Sequence, residues 1–179
     1  YKKMIVKTDK ELRQIAEPFD FKNPVIDPFK LREELIEDMW NNNGLGISAS
    51  QIGYNVRVFA MRGETKKDTL MCFNPEISKF SDNMNTMEEG CLSIPDVFAR
   101  VVRPAEITIT FLTELQEQMT EEADELTARV FQHEYDHLNG ILFIDRIGPF
   151  TKRRAFEKAK KIQKQRGRGK EKYKFRYAL

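Results

Sequence analysis

The sequence predicts a single-domain α+β fold, with antiparallel or mixed sheets packed around one central helix. Three observations carry that expectation. Strand-like runs follow one another at 56–61 (VRVFAM), 69–73 (TLMCF) and 105–111 (AEITITF), the last with clear period-2 alternation. A helical pattern from about Asp124 to Leu138 comes after these runs instead of alternating with them, which argues against a parallel α/β sheet. The length, 179 residues, suits one domain able to bury a sizeable core.

Taken in chain order, Thr8 with Glu11 suggests a capping box for a short helix containing Leu12 and Ile15. A firmer helix starts at Asp27, whose side chain can cap, with Pro28 in the first turn and Leu31, Leu35, Ile36 and Met39 as its buried stripe. Trp40 reads as a core or helix-end residue, and NNNGLG then breaks the helix. The three strands and the long helix follow, the latter stopped by Asn139 and Gly140. In the tail, TKRRAFEKAKKIQKQ has a cap at Thr151 and apolar Ala155, Phe156, Ala159 and Ile162, so it should be helical until QRGRGK ends it. The expected organisation is a body of residues 1–150 and a basic C-terminal helix and tail of residues 151–179.

Composition narrows the function classes. No apolar run approaches the ~18 residues of a membrane span, and YKKMIVKTDKELRQ lacks the apolar segment of a signal peptide, so the expected location is the cytoplasm, away from any membrane. Cys72 and Cys91 do not form a secreted disulfide framework and are expected as reduced thiols. The overall charge of +2 is uneven: residues 152–176 hold 13 Lys or Arg against Glu157 and Glu171, a net +11, which leaves −9 on the rest. A basic tail attracts phosphate, yet the acidic body carries no nucleic-acid motif, so sequence-specific nucleic-acid binding is not expected.

The chemistry concentrates in QHEYDHLNG, residues 132–140. The chain's only two histidines, His133 and His137, are four apart on the predicted helix and can aim both imidazoles at one metal ion, with Glu134 beside it. A catalytic metal usually takes three protein ligands. One candidate for the third is Glu157, 20 residues downstream, although an i,i+4 pairing with Arg153 or Lys161 is its simpler role. The other is Cys91 in MEEGCLSIPD, whose thiolate suits Zn²⁺ or Fe²⁺, although a lone cysteine is more often an inert buried residue. Cys72, in hydrophobic TLMCFNP, keeps that inert reading. The glycine-rich GLGISASQIG, residues 44–53, lacks the lysine of a phosphate-binding loop; its glycines suit a substrate backbone lying against it, with Gln51 directed into the site.

GLGISASQIG, EGCLS and QHEYDHLNG, in this order, resemble the three signature motifs of the peptide deformylases, which remove the formyl group from N-formylmethionyl peptides. The likeness extends from MIVKTDKELRQIAEPF through FNPEI to ILFIDRI. The resemblance implies Cys91, His133 and His137 as ligands of one divalent metal ion, with Fe²⁺ favoured and Zn²⁺ or Ni²⁺ as substitutes. It implies Glu134 as general acid/base, with Gln51 and the Leu92 N–H holding the formyl oxygen. It further implies the Gly46 backbone as a substrate contact, Glu89 with Arg103 as an ion pair beside the site, and Leu45, Met87, Leu126, Val130 and the His133 ring as the methionine pocket. The implied partners are N-formylmethionyl nascent peptides, with the basic tail a candidate ribosome contact; packing of Phe156, Ala159 and Ile162 on the body is the competing role. The zinc endopeptidase with Glu157 as ligand is the alternative from a different class.

The chain departs from the family pattern in places. Ser48, Ala49 and Ser50 stand where alanine and proline are more usual, Phe98 replaces a common arginine near the peptide's path, TELQEQ replaces an Asp-Gly turn after Phe111, and Glu125 stands where a glycine is expected.

Overall fold

A computed structural model of the protein describes Ile5, residues 8–167, Ala178 and Leu179. The chain opens with α1 (Asp9–Leu12), α2 (Pro28–Asn41) and β1 (Gly46–Ser48), then a 3-10 turn at Ala49–Ile52. Six strands follow: β2 (Val58–Met61), β3 (Leu70–Phe80), β4 (Met84–Cys91), β5 (Ile94–Pro104), β6 (Glu106–Leu112) and β7 (Gln118–Asp124). Helix α3 (Glu125–Leu138), a 3-10 turn at Phe143–Arg146 and α4 (Pro149–Gly167) complete the order. All strand pairs are antiparallel, in a five-stranded sheet ordered β1-β2-β3-β6-β7 and a separate hairpin β4-β5. The α+β expectation holds.

Period-2 alternation sorts the strand residues between two layers. Val58, Ala60, Met71 and Phe73 pack with Leu31, Leu35 and Met39 of α2. Phe59, Met61, Cys72, Ile107, Ile109 and Phe111 face the other way, toward Ala128, Val130, Phe131 and Leu138 of α3. Phe59 meets Phe131 edge-on with centroids 4.9 Å apart, an arrangement aromatic quadrupoles favour. A third cluster joins Val97, Ala99 and Val101 of β5 to Leu142, Phe143 and Ile144 and to Ala155 and Ala159 of α4. Helix α3 therefore runs between the sheet and the hairpin layer, and its His133 and His137 are almost wholly buried.

Local signals set several ends correctly. Asp27 accepts from the Phe29 and Lys30 N–H groups at 3.0 Å each, with Pro28 opening α2. Other ends differ. Helix α1 stops at Leu12, so Ile15, expected within the helix, lies beyond it and is 69% exposed. Helix α4 begins at Pro149 rather than after Thr151, since proline costs nothing where no helical N–H bond is made. Strand β2 starts at Val58, two residues later than the pattern suggested, and β3 runs on to Phe80 through a bulge.

The junction of β7 and α3 explains the glycine expected before Leu126. Glu125 has φ of 44°, in the left-handed region where a Cβ crowds the following carbonyl. Glu125→Gly is expected to relieve this strain by roughly 1 kcal/mol and raise the melting temperature by about 2–4 °C, whereas Glu125→Ala, which keeps the Cβ, should not. Thermal unfolding of both variants checks this.

Candidate metal centre

Because α3 turns every 3.6 residues, His133 and His137 leave it on one face, their ring centroids 5.1 Å apart. Cys91 reaches them from the end of β4, where a register shift at Gly90 and Cys91 re-aims the strand. Its Sγ lies 3.4 Å from His137 Nε2, and one donor atom from each of Cys91, His133 and His137 falls within 4.8 Å of the others. Glu157 is not in this group. It lies exposed on α4, 3.0 Å from Arg153, the i,i+4 pairing that was its simpler role.

The polar atoms here fit a cation. His133 commits Nδ1 to Glu89 Oε1 at 2.8 Å, and its Nε2 is buried with no protein partner among the described residues. Both oxygens of Glu134, a residue with 0% exposure, are likewise unpartnered. Buried polar atoms are rarely left so unless another group satisfies them. One sulfur and two imidazole nitrogens suit a borderline divalent ion and leave a coordination position open. The electrostatics point the same way. Burial, with the Glu134 charge nearby, pushes the Cys91 thiol up to about 12. Burial and then the Glu89 charge hold the Glu134 carboxyl well above its usual range, while burial and then His133 hold His137 well below the usual imidazole range. Each group resists taking charge in the bare protein, and a cation reverses that for the thiol and carboxyl.

The surrounding groups are held by local structure. Gln51 sits in the 3-10 turn after β1, where its Oε1 accepts from the Ser48 N–H at 2.9 Å. That fixes the amide so Nε2 points to Ser93 Oγ at 3.1 Å and to Cys91 Sγ at 3.6 Å. Leu92, half-buried, lies between those two partners in sequence. Gly46 is a glycine for a steric reason: a Cβ there would lie 2.8 Å from Glu134 Cγ and 3.0 Å from Val130 Cγ1. Of the residues expected to form the methionine pocket, Val130 is buried, Leu45 and Met87 are half-buried, and Leu126 is 47% exposed on the first turn of α3.

Glu89 is the hub behind the histidines. Arg103 clamps it with Nε at 2.7 Å and Nη2 at 3.0 Å and reaches Asp136 at 2.8 Å, which also holds Arg146 at 2.7 Å. Burial pushes the Glu89 carboxyl up, but hydrogen bonds from His133 and Arg103 outweigh it and hold the group far below the usual range. The expected Glu89–Arg103 pair is therefore present, but sequence reasoning missed a third member. Arg129, 1% exposed, donates to Glu89 Oε2 at 2.8 Å, to the Val101 carbonyl at 2.8 Å and to Asn85 Oδ1 at 2.6 Å. Its spacing of four from His133 was the available signal. Phe143, stacked on the His133 ring at 6.0 Å, and Ser93 were also missed.

A sheet-and-helix body with two histidines and a glutamate on the buried helix, and a cysteine brought in by a hairpin, defines a metal-dependent hydrolase built on one divalent ion. The sequence model of the polypeptide deformylase family matches residues 1–153. A peptide deformylase of Bartonella quintana is 37% identical over 92% of this chain and 94% of its own length. One of Agrobacterium fabrum is 42% identical over 82% and 86% respectively. Among solved structures, a peptide deformylase from Legionella pneumophila superposes with a TM-score of 0.82 at 30% identity, covering 93% of this chain and 98% of that one. The Thermotoga maritima peptide deformylase gives 0.74 at 37% identity, covering 82% and 97%. The chain belongs to the peptide deformylase family.

Arg129 bridges helix, hairpin and Glu89, so Arg129→Leu should lower stability by roughly 3 kcal/mol and weaken divalent-metal binding about tenfold or more. Urea unfolding and competition against a chelator measure the two effects; unchanged metal affinity would separate Arg129 from the site.

Proposed function

We propose that Cys91, His133 and His137 hold the catalytic ion, Fe²⁺ in the cell with Zn²⁺ or Ni²⁺ as substitutes, and that Glu134 is the general acid/base for removal of the formyl group. The observation that carries this is the Glu134 carboxyl itself: fully buried, beside the three-donor group, with both oxygens unpartnered among the described residues. When bound, the ion supplies Lewis acidity, which makes water a competent nucleophile near neutral pH.

The protein's own groups do the rest. Glu134 accepts the proton of the attacking water and later delivers it to the leaving amine, giving formate and a free N-terminus. Negative charge growing on the formyl oxygen is received by the Gln51 amide, held by Ser48, and by the Leu92 N–H; one such donor is typically worth about 10²–10³ in rate. Leu45, Met87, Leu126, Val130 and the His133 ring form the methionine pocket, and the Gly46 backbone contacts the peptide. A formamide carries only hydrogen on the far side of its carbonyl, so a tight site admits it and rejects an internal peptide bond, which separates this reading from an endopeptidase.

In this reading residues 1–150 form the catalytic body of a cytoplasmic enzyme. No described helix is long and apolar enough to cross a membrane. The basic stretch 152–176 docks the enzyme on the phosphate-rich ribosome surface. Ala155 and Ala159 pack α4 on the body, while Lys160, Lys161 and Lys164 remain exposed for such contacts.

Glu134→Gln should keep stoichiometric metal yet lose formate release from a formyl-Met tripeptide by about 10²-fold or more, assayed after anaerobic loading with Fe²⁺. Activity within about threefold of the parent would remove Glu134 from the proton path. For docking, ribosome co-sedimentation should fall steeply between ~50 and ~200 mM salt. Replacing Lys160, Lys161 and Lys164 together by Gln should flatten that dependence while leaving turnover of the free tripeptide unchanged; an unaltered salt slope makes the tail purely structural.

A further inference from the structure

We propose that the groove between β1 and the end of β4 binds this chain's own Ala178 and Leu179, so that its tail competes with peptides for the site. The inference rests on the proposed reading that substrates lie along this same groove.

The groove is bounded by two separate sheets. Strand β1 pairs within its sheet only with β2, so its other edge presents main-chain groups, and β4 belongs to the two-stranded hairpin. Ala178 and Leu179 bridge them. The Leu45 N–H donates to the Ala178 carbonyl at 2.8 Å, and the Leu179 N–H donates to the Gly90 carbonyl at 3.0 Å. Gly44 and Ala178 also form a parallel β-bridge. This is strand addition, in which main-chain bonds hold an extended segment at a sheet edge irrespective of its sequence.

Both walls adjoin the chemistry. Gly46, two residues beyond the bridge, packs directly on Glu134, and Gly90 immediately precedes Cys91. Leu179 is 4% exposed and belongs to the apolar cluster containing Val130, with Leu45 packed against it. A peptide presenting the same donor and acceptor to Gly90 and Leu45 has to displace these two residues first.

The origin of the tail makes an intramolecular occupant reasonable on geometry. Arg166, in the last turn of α4, pairs with Asp96 at 2.6 Å, and Asp96 follows closely on the β4–β5 turn beside Cys91. The eleven links from Gly167 to Ala178 can span up to roughly 37 Å. Joined through one chain, the tail competes at an effective concentration independent of how much protein is present.

The test uses the full chain with Leu179→Pro, which removes the N–H that Gly90 accepts, and Leu179→Asp, which places a charge at a buried apolar position. Both should lower KM for a formyl-Met tripeptide about threefold with kcat unchanged. Independently of turnover, hydrogen exchange at the Leu179 amide should be slow in the parent chain and become fast when an unformylated Met-Ala-Ser peptide is added. Equal KM in parent and variants, or fast exchange without added peptide, overturns the proposal. So does a fall in kcat together with melting temperature, which would make Leu179 a core residue only. A KM that rises with enzyme concentration overturns the intramolecular form by placing the tail in a second copy's groove. The exchange measurement needs no catalysis, so its failure is distinguishable from failure of the assigned catalytic roles.

Discussion

The carboxylate of Glu89, with a side chain fully removed from water, is the constraint around which this protein is arranged. Burying an ion costs several kcal/mol unless partners surround it, and here one carboxylate receives Arg103, Arg129 and His133 together. Every partner lies on another strand or helix than β4. Arg103 is on β5, and Arg129 and His133 are on α3, so neutralising Glu89 fixes the hairpin against the helix. Cys91 is two residues further along β4, and its sulfur arrives at the histidines because Glu89 is anchored. Such networks add little net stability over apolar packing; what they specify is relative position.

The same bond gives Glu89 an electronic role. By accepting from His133 Nδ1 it sets the tautomer that leaves Nε2 available, as carboxylate partners of metal-binding histidines generally do. Asp136 extends the network outward through Arg103 to half-exposed Arg146, so charge alternates from the centre to solvent. The inner groups, Cys91, Glu134 and His137, lack such compensation and resist charging in the bare protein. A divalent cation supplies the missing charge, which couples metal affinity to the integrity of the hairpin-helix contact.

Close packing fixes two glycines beside the metal centre. Gly46 has no room for a Cβ because Glu134 and Val130 press against it, and a Cβ at Gly90 would meet the Phe98 ring at 2.5 Å. Nearby, the Leu45 N–H and the Gly90 carbonyl bond to Ala178 and Leu179 through main-chain groups alone. Phe98 packs its ring over Gly90, one residue before Cys91.

By itself, the sequence determined whatever depends on neighbours within one or two turns. It gave the Asp27 cap and Pro28 start of α2, the spacing that puts His133 and His137 on one face with Glu134 between, and the alternation of β6. Resemblance of three short motifs then selected Cys91 over Glu157, a choice local pattern left open. The β4–β5 hairpin was not legible: burial alternates along the start of β4, but residue type does not follow it, since apolar Met84 is exposed and polar Asn85 is half-buried. Arg129 was missed because an arginine on a helix normally faces water, and only the convergence of Glu89, Asn85 and Val101 from two strands makes a buried position tolerable. Tertiary structure alone decided the third donor's position, the charge network behind the histidines and the groove filled by Ala178 and Leu179. Each depends on contacts such as Arg103–Asp136, Glu89–His133 and Leu45–Ala178, about 30 to 130 positions apart, whose encounter is dictated by packing and charge neutralisation rather than by any periodicity a chain can display.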